Sequence, residues 1–441
     1  MNYFDQIPKI EYEGPKSLNP LAFRWYQPDR EINGIPMRDH FRFAMCWWHS
    51  FCGGGSDPFG ANTRCFPWET ESDPIDFARR KMDAAFEAFQ KLGIEYFCFH
   101  DFDLVAEGAD NADSDRRLGI LIDHAKGHMK DSGVKLLWGT ANLFSHPRYM
   151  NGAITNPEFA VVAQAGAQVK RAIDATIELG GRGYVFWGGR EGYSSLLNTD
   201  MKRELDHLGS FLRAARDYGR SQGFEGSFFI EPKPAEPSKH QYDFDAATAI
   251  GFLQAQGLAG DFKMNIEANH ATLAGHSFVH ELQVSADAGL LGSVDANRGD
   301  MQNGWDTDQF PLDMFELTEA MLVFLNSGGL KGGGVNFDAK LRRNSVDQED
   351  LFIAHIAGMD AFARALIVAD AIRQDGTYDA WRKERYASFD NGDGARFERS
   401  ELGLSDLREL ADSLGGAVNA AGFQSGKQEK YEQWISRWLE M

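Results

Sequence analysis

Short apolar runs alternate with stretches of helical period along most of this chain. Residues 41–48 are rich in aromatics and read as a first strand, followed by a glycine loop at 53–60. Residues 75–92 carry Phe77, Met82, Phe86 and Phe89 at helical spacing and stop at Gly93, as a C-cap would. The alternation then repeats. Apolar strands are predicted near 96–100, 134–140, 184–188, 227–231 and 262–267, with helices over 116–132, 156–179, 200–218 and 245–256 between them. Two more units end at Asp295 and Asp338.

Eight such strands without a long structureless gap are the pattern of parallel βαβ units. They predict an α/β protein built as a closed (β/α)8 TIM barrel, with a doubly wound sheet as the alternative. The barrel is preferred because nearly every strand, and not only those at one switch point, ends in a polar or aromatic residue. Residues 1–40 mix Pro, Asn and charge around isolated apolar positions and read as an irregular N-terminal extension, with Asn33-Gly34 as a turn. The barrel is assigned to 41–345. Residues 346–441 turn helical, over 351–372, 401–414 and 431–439, and read as an arm for subunit contacts. The Asp390-Asn-Gly-Asp-Gly run has a Gly at the third position of a would-be calcium loop, so it reads as a turn.

Composition narrows the class. The hydrophobic share of 43% is that of a globular protein, and a formal charge of -20 speaks against a nucleic-acid backbone as partner. The N-terminal residues lack a basic stretch followed by an apolar one, and no run is expected to reach the length of a membrane span, so a cytoplasmic protein with no membrane partner is expected. Cys46, Cys52, Cys65 and Cys98 form no Cys-x-x-Cys pair, which argues for reduced thiols over a disulfide framework or zinc cluster. The 53–60 loop is no phosphate cradle, since neither Lys-Ser/Thr nor a helix follows it.

The candidate chemistry gathers between Lys263 and Asp338. Glu231, Glu267, Asp295 and Asp338 stand one per strand end, a donor set for a hard divalent cation such as Mg2+ or Mn2+. Without a cation, four converging carboxylates repel. His270, Asp306 and Asp308 would build a second site sharing Glu267. One strand-end Asp is most often a helix N-cap, but seven candidate ligands in phase with a barrel rim are a different matter. Glu267-x-x-His270 also fits a di-iron helix bundle, yet it occurs once and its upstream flank reads as strand. Asp306-Thr-Asp308 fails as an EF-hand because no Gly stands sixth and Leu317 stands twelfth.

His100 with Asp103 is a base with an orienting carboxylate, and Lys233, held between Pro232 and Pro234, could stabilise developing oxyanion charge. Trp48, Phe59, Trp138, Phe144 and Trp187 cluster near strand ends, with Thr140; aromatics there are most often core, and the alternative is a set of apolar faces on which a sugar could dock and a wall that would exclude water.

These strings together resemble the xylose isomerase family, in its longer class with an N-terminal extension. The resemblance rests on Phe-His100-Asp-Phe-Asp103, Trp-Gly-Gly-Arg190-Glu-Gly-Tyr, Ile-Glu231-Pro-Lys233-Pro, Asn-Ile-Glu267-Ala-Asn-His270, Ser-Val-Asp295-Ala-Asn, Gly-Trp-Asp306-Thr-Asp308 and Asn-Phe-Asp338-Ala-Lys. It spans essentially the whole chain. It implies a homotetramer interconverting D-xylose and D-xylulose, and more weakly D-glucose and D-fructose, by a 1,2-hydride shift with two Mg2+, Mn2+ or Co2+ ions per subunit.

Carried onto this sequence, the resemblance gives Glu231, Glu267, Asp295 and Asp338 the metal that grips the open sugar, and Glu267, His270, Asp306 and Asp308 the catalytic one. It further gives His100, braced by Asp103, ring opening, and Lys233 donation to O1. Phe59 is expected to reach a neighbouring subunit's site. Two other classes stand as alternatives. A metal-dependent phosphodiesterase on such a barrel would need a basic face, and a non-catalytic sugar-binding protein would not need His100, Lys233 and two metal sites together.

Overall fold

The computed structural model describes residues 2–56, 60, 62–69, 73–299, 302, 309–340, 345–415 and 426–440. The chain divides into two compact units, 1–364 and 365–441.

In the first unit eight parallel strands close into a barrel. They are β1 (Ala44–Cys46), β2 (Tyr96–His100), β3 (Lys135–Thr140), β4 (Gly183–Trp187), β5 (Ser227–Glu231), β6 (Phe262–Glu267), β7 (Leu291–Ala296) and β8 (Val335–Phe337). β8 pairs back onto β1 through Asn336 with Ala44 and Phe337 with Met45, which is the closure that separates a barrel from an open sheet. Every residue of β2 and β7 is buried, as expected where helices cover one face and the barrel interior fills the other. The interior packs Tyr96, Cys98, Leu137, Trp138, Val185 and Phe229 against one another.

The helices between strands are α1 (Pro74–Leu92), α2 (Asn111–Ser132), α3 (Phe159–Glu178), α4 (Met201–Ser221), α5 (Ala246–Ala255), α6 (Phe278–Asp287) and α7 (Met314–Ser327). Their ends follow local chemistry. Asp73 accepts the Ile75 and Asp76 N–H groups ahead of Pro74, and Gly93 closes α1 at φ 74°, a conformation that penalises any Cβ. α2 begins five residues before its apolar period does, because the Asp110 cap opens an exposed polar first turn. β1 is shorter than its aromatic run. Arg42 adopts φ 44° and ends a short helix, Met37–Phe41, while Trp47 opens another, Trp47–Phe51, so Phe41, Trp47 and Trp48 belong to helices.

The N-terminal residues are anchored by polar contacts. Asp360 accepts the backbone N–H groups of Arg24, Trp25 and Tyr26 at 2.7–2.9 Å, and Glu87 accepts those of Tyr3 and Phe4. Asn33 and Gly34, both at positive φ, turn the small hairpin between Glu31–Ile32 and Ile35–Pro36. Cys46, Cys52, Cys65 and Cys98 are all unbridged.

One expectation is corrected by α8 (Gln348–Asp375). This helix is long and apolar enough to cross a membrane by length and composition, contrary to the reading that no run reaches that length. Its apolar window is 72% buried within the protein, which is how a core helix meets the same criterion. Phe352 packs edge-on to Phe4, and Phe362 to Phe41.

The second unit continues with α9 (Thr377–Tyr386), α10 (Gly392–Glu398), α11 (Leu404–Ser413) and α12 (Gln428–Trp438). Trp381 meets Tyr431 and Trp434 edge-on at 5.3 and 5.6 Å, and the Lys430 ammonium lies 3.6 Å from the Trp381 ring centre. The Asp390 run is not simply a turn. It leads into α10, whose first turn holds an Asp393–Arg396 ion pair at 2.8 Å.

Candidate active site at the carboxyl rim of the barrel

Strand register brings the rim residues together. Glu267 ends β6 directly beside Asp295 of β7, and Glu231 ends β5 beside Trp187 of β4. Asp338 follows β8, its N–H bonded to the Ala296 carbonyl at 3.0 Å. All four carboxylates are buried, as is His270, one turn into the short helix Ala268–Leu273.

Ligand atoms of Glu231, Glu267 and His270 lie within 4.8 Å of one another, and so do those of Glu267, Asp295 and Asp338. Glu267 is the member common to both groups. His270 Nε2 is 3.2 Å from Glu267 Oε1, and its Nδ1 is 3.7 Å from Glu231 Oε1.

Electrostatics at this centre are unfavourable for bare carboxylates. Burial, then the Asp295 and Asp338 charges, hold Glu231 well above the ordinary carboxylate range. Burial raises Asp295 to about 6 against hydrogen bonds from Asn336 and Asn265 that lower it. Buried carboxylate oxygens converging with one imidazole are the donor chemistry of a divalent cation, and such a charge offsets this repulsion. The residues present therefore fit a metal.

A cavity of about 240 Å³ opens over this centre, lined by Trp48, His100, Trp138, Thr140, Phe144 and Trp187 together with Glu231, Glu267, His270 and Asp338. Trp48 and Trp138 lie 5.5 Å apart, and Phe144 meets Trp187 edge-on at 4.6 Å. His100 is held between the Trp48 and Phe144 rings. Asp103 Oδ2 accepts both the His100 backbone N–H, at 3.1 Å, and its Nδ1–H, at 2.8 Å, which orients the ring and leaves Nε2 for a ligand. Lys233 is buried beside the cavity wall, 3.1 Å from Glu236 and 5.4 Å from the Trp187 ring centre. Phe59, Asp306 and Asp308 lie outside the described residues.

Several polar residues of this centre escape a reading that looks only at strand ends. Asn265 donates to Glu231 at 3.1 Å and Asp295 at 2.8 Å, Asn336 to Asp295 at 2.9 Å, and Asn297 to Glu267. Asn265 and Asn336 stand two residues before Glu267 and Asp338, hence on the same strand faces, and that period of two is the signal that locates them. Trp48 donates to Asp338 Oδ1 at 2.8 Å, and His49 Nε2 lies 3.3 Å from the same oxygen. His49 and Lys340 also line the cavity.

The chain is similar over nearly its full length to proteins of one kind. It is 59% identical over 437 residues to the xylose isomerase of Xanthomonas oryzae pv. oryzae, covering 99% of this chain and 97% of that one. It is 59% identical over 430 residues to the xylose isomerase of Bacteroides thetaiotaomicron, covering 98% and 97%. Residues 382–439 match the family model described as the XylA2 C-terminal domain. Among solved structures, D-psicose 3-epimerase with D-tagatose from Clostridium cellulolyticum H10 shares the fold, with a TM-score of 0.50, 15% identity and coverage of 74% of this chain and 99% of that one. At this identity over both lengths, the chain is a sugar isomerase and belongs to the xylose isomerase family.

Proposed function

We propose that this protein interconverts D-xylose and D-xylulose, and more weakly D-glucose and D-fructose, by a 1,2-hydride shift at a centre holding two divalent cations, Mg2+, Mn2+ or Co2+. Glu231, Glu267, Asp295 and Asp338 would hold the first, and Glu267, His270, Asp306 and Asp308 the second. When bound, such cations supply Lewis-acid polarisation of the sugar's O1 and O2. The observation that carries the reading is the convergence of Glu267, Asp295 and Asp338, all buried and within 4.8 Å of one another, below a cavity walled by tryptophan.

The chain's own residues then divide the work. His100, oriented through Nδ1 by Asp103, exchanges the proton that opens the sugar ring. The Lys233 ammonium donates to O1, where negative charge develops. Trp48, Trp138, Phe144 and Trp187 present apolar ring surface to the sugar and keep water from the carbon that gives up hydrogen. The hydrogen bonds from Asn265, Asn336 and Trp48 fix the carboxylates before substrate arrives.

The same reading makes the protein a cytoplasmic homotetramer, with 1–40 an extension, 41–345 the catalytic barrel and 346–441 supplying subunit contacts. Phe59 would then complete a neighbour's site. Isomerisation of D-xylose in D2O tests the chemistry. Retention of the substrate hydrogen at C1 of the ketose is expected, whereas extensive solvent deuterium there would replace the hydride shift with an enediol.

A further inference from the structure

A second group of metal-ligating side chains stands on the outer helices of the barrel, away from the strand ends. His124 and His128 lie one turn apart on α2, so both rings project from one helix face. Asp83 of α1 faces them, its Oδ1 at 2.8 Å from each Nε2. The two Nε2 atoms are 3.3 Å apart.

That separation is the edge of a zinc tetrahedron. With Zn–N bonds of about 2.0–2.1 Å, two tetrahedral nitrogen ligands stand about 3.3–3.4 Å from each other. The oxygen lies about half an ångström inside the same edge length, which a small rotation of the Asp83 side chain restores.

The arrangement is pre-set by packing. The His128 ring stacks on Phe86 at 4.8 Å and 13°, and His124 meets His128 edge-on. Burial raises the Asp83 carboxyl, but hydrogen bonds and charge from the two imidazoles outweigh it and hold the group well below the usual carboxylate range. The side chains of Asp83, His124 and His128 are 43%, 31% and 29% exposed, which leaves solvent to complete the coordination.

We propose that Asp83, His124 and His128 form a peripheral site for an imidazole-seeking divalent cation such as Zn2+, independent of the sugar-binding centre. Two nitrogens and one oxygen suit zinc, whereas the carboxylate-rich set at the strand ends suits harder cations. A bound ion ties α1 to α2 and stabilises the folded state by mass action.

Equilibrium dialysis of the Mg2+-loaded protein against Zn2+ tests this, comparing wild type with His128→Asn and Asp83→Asn, and with His124→Gln in place of either variant that does not fold. Each variant is expected to keep Mg2+-supported isomerase activity, to bind one zinc fewer per chain than wild type, and to show a smaller zinc-induced rise in Tm. An active variant that binds as much zinc as wild type would overturn the proposal.

Discussion

Two clusters in this protein join carboxylate to imidazole under opposite conditions. At the barrel rim Glu231, Glu267, Asp295, Asp338 and His270 are all buried, and hydrogen bonds from Asn265, Asn297, Asn336 and Trp48 hold the four carboxylates. On the outer helices Asp83, His124 and His128 are each about a third or more open to solvent. In the first setting the low dielectric makes every charge costly without a partner, so the network acts as a unit. In the second, water competes and each contact is worth little. The lesson is that burial, more than the kind of functional group, sets what a residue contributes.

The largest expected effect breaks the buried cluster at its common member. Glu267→Gln should lower kcat/KM for xylose by about 10⁴ or more, because it weakens both proposed cation sites together. A rate within tenfold of wild type, with circular dichroism unchanged, would remove the shared-ligand assignment. On the proposed role of His100 in ring opening, His100→Asn removes a single proton transfer and should cost about 10² in kcat/KM. Asp103→Asn should cost less than that, since it disturbs only the orientation of the ring.

A buried imidazole without a carboxylate sharpens the contrast. Burial lowers His355 to about 4, and its ring lies against Phe310 and Phe337 with only Nδ1 bonded, to the Leu351 carbonyl at 2.7 Å. An unfolded His takes up its proton near pH 6.5, so the stability from keeping His355 neutral is complete above that value and lost as pH falls toward 4. Between pH 6.5 and 5 the loss is about 2 kcal/mol. As pH falls across that window the urea midpoint of wild type should drop relative to that of His355→Phe, and parallel curves would count against it. At the exposed end, Asp73→Ala removes the α1 N-cap and should cost about 1 kcal/mol by the same denaturation.

How legible each region was follows the same division. β5 and β6 run over the residues expected, Ser227–Glu231 and Phe262–Glu267, β5 because the buried apolar run Phe228-Phe-Ile leads straight into Glu231, and β6 because Phe262, Met264 and Ile266 recur at a period of two before Glu267. That pattern exposes the rim carboxylates as terminal residues. β1 was overextended because aromatics mark burial, not backbone conformation, and the turn to helix at Trp47 leaves no trace in hydrophobicity. Uncharged amides inside a strand, as at Asn265 and Asn336, carry no signal of their own unless the alternation of faces is followed back from the ligand. Of the Asp83 cluster only the one-turn spacing of His124 and His128 within a predicted helix is legible, since Asp83 lies 41 and 45 residues away on a helix whose pairing only the fold supplies.

The central claim is that the buried carboxylates at the strand ends serve sugar isomerisation through bound divalent cations. The direct measurement is ketose formation from D-xylose by protein stripped with a chelator, before and after Mg2+, Mn2+ or Co2+ is returned. Activity should vanish on chelation and come back with at least one of these ions. Undiminished turnover in excess chelator, or none with any of the three, would contradict the account.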